Sequence, residues 1–132
     1  MHTRVVKPKH GPELIVRQLR RGDTAVDATH HSLVAYGDGD PEPVAIARLM
    51  RSGGSAEIAF EVADAYHGRG IGSALTQELV MDACVAGIVE VTAIVRSDNR
   101  AALALLTRVL GQFELRFEGP ELVVRAPLPG RC

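Results

Sequence analysis

The stretch with the most chemistry in it is His67-Gly68-Arg69-Gly70-Ile71-Gly72, three glycines at alternate positions with an arginine among them. Without a Cβ, such a backbone can approach a ligand closely and turn several N–H groups toward one point. Ahead of it, Glu57-Ile58-Ala59-Phe60-Glu61-Val62 alternates as a half-buried strand does. Ile58, Phe60 and Val62 share one face, and Glu57, Ala59 and Glu61 the other. Behind it the apolar period lengthens to about 3.6, with Ile71, Leu75, Leu79 and Val80 on one helical face. A helix starting there aims the positive end of its dipole at the spot the glycine amides face. Strand, glycine turn and helix start together suit a phosphate or pyrophosphate.

The elements that position this stretch follow from pattern and punctuation. Residues 1–12, with Lys7-Pro8-Lys9 and Gly11-Pro12, read as a loose leader, and residues 127–132 as a tail. Strands are expected at 13–19, 30–36, 43–50 and 57–62, separated by Arg21-Gly22-Asp23, Gly37-Asp38-Gly39-Asp40-Pro41 and Ser52-Gly53-Gly54-Ser55. They read as an antiparallel meander. The helix from residue 70 should stop at Gly87. Residues 89–95 form a β-branched run, expected to lie parallel to the fourth strand because a helix crosses between them. Ser97 or Asp98 should cap a second helix carrying Ala102, Leu103, Leu106, Val109 and Leu110 inward. Residues 112–117 and 122–125, split by Gly119-Pro120, should close the sheet as a hairpin.

A chain of 132 residues suits one domain with one core. With 46% hydrophobic and 23% charged residues it has the balance of a folded protein rather than a disordered one. A net charge of −1, with arginines scattered apart from Arg20-Arg21, argues against a nucleic-acid partner. No apolar run is long enough for a membrane span, and Met1-His2-Thr3-Arg4 has no signal-peptide character. Cys84 falls in a predicted helix and Cys132 in the tail, so no bridge is expected and a cytoplasmic setting is. His10, His30 and His31 have no cysteine or carboxylate at ligand spacing, so no metal site is expected.

Gly68-Arg69-Gly70-Ile71-Gly72 behind Val62-Ala63-Asp64-Ala65-Tyr66 resembles the acetyl-CoA pyrophosphate loop of the GNAT acetyltransferases. That family's pattern is Arg/Gln-x-x-Gly-x-Gly/Ala, and His67 stands where Arg or Gln is usual. With Ser97-Asp98-Asn99 downstream, the wording is most similar to the GNAT domain of bacterial protein lysine acetyltransferases. The similarity runs roughly over residues 14–126 and is densest over 56–106. It implies a single α/β GNAT domain over residues 1–132, with a mixed, mostly antiparallel sheet. A central parallel strand pair would be splayed for CoA, with helices on both sides. The family usually carries two helices between its first two strands. Here residues 22–29 have room for barely two turns at about 1.5 Å per residue, so the acceptor-side helices are shortened.

The resemblance also implies a reaction: N-acetyl transfer from acetyl-CoA, without a metal, to a primary amine such as a protein lysine. The amides of Gly68, Arg69, Gly70, Ile71, Gly72 and Ser73 would hold the pyrophosphate, and Arg69 would add a charged side chain. The Val62 backbone would bond the pantetheine arm and polarise the thioester carbonyl, and Asn99 would bond the pantetheine region, its alternative reading being a cap of the second helix. Glu57, within an Ala-Glu-Ile segment like that of the lysine acetyltransferases, is the expected general base, with Glu61 as second choice. Its apolar flanks would raise its pKa toward neutrality. The family often has an acidic tyrosine seven residues beyond the Asn; here that position is Leu106, leaving the thiolate to water. Three other readings stay open: a non-catalytic acetyl-CoA sensor, a GNAT-fold interaction module, and a small-molecule amine acetyltransferase. A homodimer is compatible with all of them.

Overall fold

Alternating apolar residues dominate the first half of the chain, and in the computed structural model they become an antiparallel meander. The structure describes residues 3–8, 13–18, 30–37, 41–63, 66 and 70–129. The elements in chain order are β1 (Thr3–Val6), β2 (Leu14–Gln18), β3 (His30–Tyr36), β4 (Pro43–Ser52), β5 (Ser55–Val62), α1 (Ile71–Val85), β6 (Glu90–Arg96), α2 (Arg100–Leu110), β7 (Glu114–Glu118) and β8 (Glu121–Pro127). They form one eight-stranded sheet in the order β1-β2-β3-β4-β5-β6-β8-β7. Only β5 and β6 pair in parallel, because α1 carries the chain between them. The mixed sheet with a central parallel pair is the architecture expected from the sequence.

One face of the sheet is apolar and carries the helices. Ala47, Leu49, Ala56, Ile58, Val91, Ala93, Val124 and Ala126 point to it and are at most 5% exposed. Against it α1 sets Ile71, Leu75, Leu79 and Ala83, recurring every three or four residues as a core-facing helix requires. Each fully buried leucine there contributes roughly 2 kcal/mol. Helix α2 buries Ala102, Leu105 and Leu106 on the same side. The opposite face of β6 and β8 carries Thr92, Ile94, Val123 and Arg125, which neither α1 nor α2 covers. Both described helices therefore sit on one face; residues 22–29, expected to hold the shortened acceptor-side helix, lie outside the described residues.

Three local expectations change. Thr3–Val6, read as part of a loose leader, pairs antiparallel with β2 and forms the sheet edge. Its alternation is short and polar, and what anchors it is a contact far off in sequence. Arg4 Nη2 donates to Asp82 Oδ2 on α1 at 2.8 Å, and His31 Nε2 on β3 donates to the same oxygen at 2.8 Å. The cap of α2 is neither Ser97 nor Asp98 but Asn99, whose Oδ1 accepts from Ala102 N at 3.1 Å. Cys84, expected to stand unbridged, is disulfide-bonded; the other cysteine, Cys132, lies outside the described residues.

The Asp82 cluster ties β1 and β3 to α1. Burial pushes the Asp82 carboxyl up, but hydrogen bonds from His31 and Arg4, with the Arg4 charge, outweigh it and hold the group below its ordinary value. The same hydrogen bond to Asp82 raises Arg4. A depressed carboxylate contributes stability that is complete above its ordinary pKa and lost as pH falls through the lower folded value. Asp82→Asn should therefore cost about 1–2 kcal/mol at pH 7. It should also flatten the acid limb of stability, and urea denaturation of both proteins from pH 7 to pH 3 checks both effects.

Candidate functional site

Two strands that start as partners and then separate define the site. Strands β5 and β6 pair only at Ser55–Glu90, Ala56–Val91 and Glu57–Thr92. Beyond that β5 runs on to Val62 beside β4, and β6 to Arg96 beside β8, with no ladder between them. Which backbone groups face the gap follows from the hydrogen-bond alternation. Ala63 N donates to Val44 O at 2.8 Å, so the odd-numbered residues of β5 spend their backbone groups on β4. Ile58, Phe60 and Val62 then turn theirs toward β6, whose ladder with β5 ends at Glu57–Thr92. A ligand with an amide-bearing linear arm can take the missing strand's place.

The helices close the rear of the gap. Gly70 adopts the left-handed conformation (φ 78°) and starts α1 with no side-chain cap and no acidic residue in the first turn. The first N–H groups of a helix have no partner within it, so this end favours an anion. Gly72 is glycine for a steric reason: a Cβ there would stand 2.8 Å from Leu105 Cδ1 and 3.0 Å from Val62 Cγ2. Any side chain would push α1 away from the end of β5 and from α2. Helix α2 follows β6 from Asn99 and brings Leu105 and Arg108 against the first turn of α1. Phe60, Val62 and Val95 line the gap from the helix side, packed on the core yet only half-buried.

The predicted residues distribute as follows. Gly70, Ile71, Gly72 and Ser73 form the α1 start, and Val62 lies against it. Gly68, Arg69 and His67 lie outside the described residues. Asn99 stands just beyond the end of β6, its Oδ1 committed to the α2 cap. Glu57 occupies the last paired position before the strands part, at the vertex of the gap. It is half-buried on the face turned away from α1 and α2 and makes no hydrogen bond or ion pair among the described residues. Glu61 is exposed on the same face, about 13 Å further along the strand. Leu106 is fully buried in the core, so that helix position offers no proton donor. Among the described residues no three His, Cys, Asp or Glu side chains gather as metal ligands.

One residue escaped the sequence reading. Arg108 Nε and Nη2 both donate to Ser73 Oγ at 3.2 Å, which places a guanidinium beside the first turn of α1. Its only sequence signal is a basic residue in the last turn of α2, which the helix dipole alone would explain. Two open concavities lie elsewhere, about 600 Å³ along α1 near Val6 and Met81 and about 850 Å³ near Phe113 and Arg125. Neither includes a predicted site residue or combines splayed backbone with a helix start.

A family model described as the acetyltransferase (GNAT) family matches residues 4–112. The chain belongs to the GNAT acetyltransferase family. Among curated proteins, this GNAT domain is 39% identical to "Acetyltransferase Pat" of Mycolicibacterium smegmatis over 88 residues, 64% of this chain and 26% of that protein. Among solved structures it resembles a cAMP-binding acyltransferase from Mycobacterium smegmatis, with TM-score 0.80 and 24% identity over 97% of this chain and 48% of that one. It also resembles the GNAT domain of S. lividans PAT, with TM-score 0.78 and 22% identity over 96% and 97% of the two chains. A third match is the PaiA N-acetyltransferase of Thermoplasma acidophilum solved with coenzyme A, with TM-score 0.67 and 18% identity over 76% and 62%. The chain thus spans about a quarter of its curated relative and about half of the first of these structures.

A cation beside an anion-binding helix start should strengthen phosphate binding without touching the chemical step. Arg108→Ala should weaken acetyl-CoA binding by about 3- to 10-fold, the worth of one exposed charge-assisted contact. The maximal rate should stay within about twofold, and the difference should shrink as salt rises. Calorimetry at low and high ionic strength, with steady-state kinetics, checks all three.

Proposed function

We propose that this GNAT domain transfers an acetyl group from acetyl-CoA to a primary amine, the ε-amine of a protein lysine. The observation that carries the reading is the coincidence of three features. A parallel strand pair parts after three residues, a helix start without a side-chain cap faces the opening, and a carboxylate stands at the vertex.

The pyrophosphate would rest on the first-turn amides of α1 with Ser73 and Arg108 beside it, joined by the amides of Gly68 and Arg69. The pantetheine arm would lie along the crevice-facing backbone of Phe60 and Val62, with Asn99 on its other side. There an inward N–H would polarise the thioester carbonyl as the oxyanion develops. Glu57, directly or through one water, would take the ammonium proton so that the neutral amine attacks the carbonyl carbon. The C–N bond forms, the C–S bond breaks, and the CoA thiolate leaves to be protonated by water, Leu106 offering no acid. Holding donor and acceptor in one crevice supplies the rest of the acceleration by positioning. The 39% identity to a protein named Acetyltransferase Pat supports acetyl transfer, and the likeness of Ala56-Glu57-Ile58 to the lysine acetyltransferases supports a protein lysine as acceptor.

Glu57→Gln separates this enzyme from a sensor or an inert module. It should lower kcat by roughly 100-fold or more, the usual worth of a general base. Acetyl-CoA affinity should stay unchanged, and the rate should lose the base's limb of its pH profile. Parent and variant binding acetyl-CoA alike with no turnover in either would instead mark a sensor. No binding in the parent would mark an interaction module.

A further inference from the structure

The sheet face turned away from α1 and α2 shows how an acceptor could be selected there. Strand register sets its side chains in rows. Met50, Glu57 and Thr92 stand side by side across β4, β5 and β6. Two residues further along come Arg48 and Ala59, then the gap, then Ile94 on β6. Met50 and Ile94 are each 50% exposed, and Arg48 and Ala59 are exposed as well. Scattered apolar side chains on a surface mean little, but these two flank the candidate base on one face. Ala59 is too small to fill the space between them, which leaves a trough with Glu57 at its head.

Charge on the same face supplies an independent observation. Arg125 pairs with Glu90 at 3.6 Å, Arg116 with Glu118 at 2.7 Å and Arg96 with Asp98 at 3.3 Å. The Arg17 guanidinium sits 5.6 Å from the centre of the Tyr36 ring. Among the described residues on this face, Arg48 is the arginine without an ion pair or ring contact. It borders the trough beside Ala59, where an incoming carboxylate could reach it.

We propose that this trough selects the acceptor by the residues next to its lysine, an inference that rests on the acetyltransferase reading above. The occupant is an extended polypeptide segment. Its lysine lays its aliphatic stem over Ala59 and brings its amine to Glu57. An apolar neighbour seats on Met50 or on Ile94, on either side of that stem, and an acidic neighbour meets Arg48. An open trough encloses too little of a small molecule to hold it, whereas an extended chain gains contact along its length. The unbranched Met50 can adapt to apolar neighbours of different shape.

Four blocked peptides with a single lysine test this, its neighbours being Leu and Asp, Ser and Asp, Leu and Arg, or Ser and Arg. Acetyl-lysine is followed by mass, with spermidine as a small-amine control. The Leu–Asp peptide should exceed the Ser–Arg peptide by about tenfold in kcat/KM, the product of one exposed apolar contact and one exposed ion pair. Arg48→Glu should reverse the charge preference, and Met50→Ser should reduce the preference for Leu. Circular dichroism and acetyl-CoA affinity should match the parent in both variants. Equal rates on all four peptides, or an unchanged charge preference in Arg48→Glu, would overturn the inference and leave lysine acetylation standing. Acetylation of spermidine and of none of the peptides would overturn the polypeptide acceptor as well. Acetylation of nothing would remove the enzymatic reading on which both depend.

Discussion

The ladder between β5 and β6 stops at Glu57 and Thr92, and the rest of the molecule is arranged around that stop. A sheet interior that abandons pairing leaves backbone donors and acceptors facing a gap, which is costly unless something fills it. Here β4 continues to hold β5 along its whole length, and β8 holds β6, so the gap stays open without the sheet falling apart. Crevice-facing backbone of Phe60 and Val62 is thus kept in a fixed, extended form. This is what a linear ligand arm needs if it is to pay little ordering entropy at the protein's side.

Close packing keeps the mouth of the gap in place. Gly72 lets α1 sit against both Val62 and Leu105, so one residue without a side chain joins strand, first helix and second helix. Arg108 adds a polar tie from α2 to Ser73 on the same turn. At the other side of the sheet, Arg4 and His31 share one oxygen of Asp82 and fix α1 over β3 and β1. The helix start that faces the opening is therefore braced by apolar contact at its first turn and by charge farther along its length.

Much of this was legible in the residues because the signals were local. Period-two alternation in 57–62 and the change to helical period from residue 70 sit within about twenty residues, and both appear in the fold; of the glycine turn between them, Gly70 and Gly72 lie among the described residues. The Val62 and Gly72 contact was not legible, since it joins residues that only the fold brings together. Strand β1 is not legible for a related reason: its β-branched Thr3, Val5 and Val6 favour a strand, but four residues beside Lys7-Pro8-Lys9 and Gly11-Pro12 are too short a run to stand out, and an ion pair across 78 positions holds them. Asn99 has two readings in the sequence, cofactor contact and cap, because Ser97, Asp98 and Asn99 are all good caps and sequence alone does not choose among them. Arg108 was invisible because an arginine near a helix end is ordinary. Glu57 was picked by resemblance, and the register adds a reason: it occupies the vertex, where Glu61 does not.

Residues on the open face and residues in the crevice meet at that vertex, so donor and acceptor would approach Glu57 from two directions. Amide hydrogen exchange with and without acetyl-CoA tests this central claim most directly. Exchange should slow at residues 58–62 and 70–73, with β7 unchanged. Protection confined to the concavity along α1, or none at all in either segment, would contradict it.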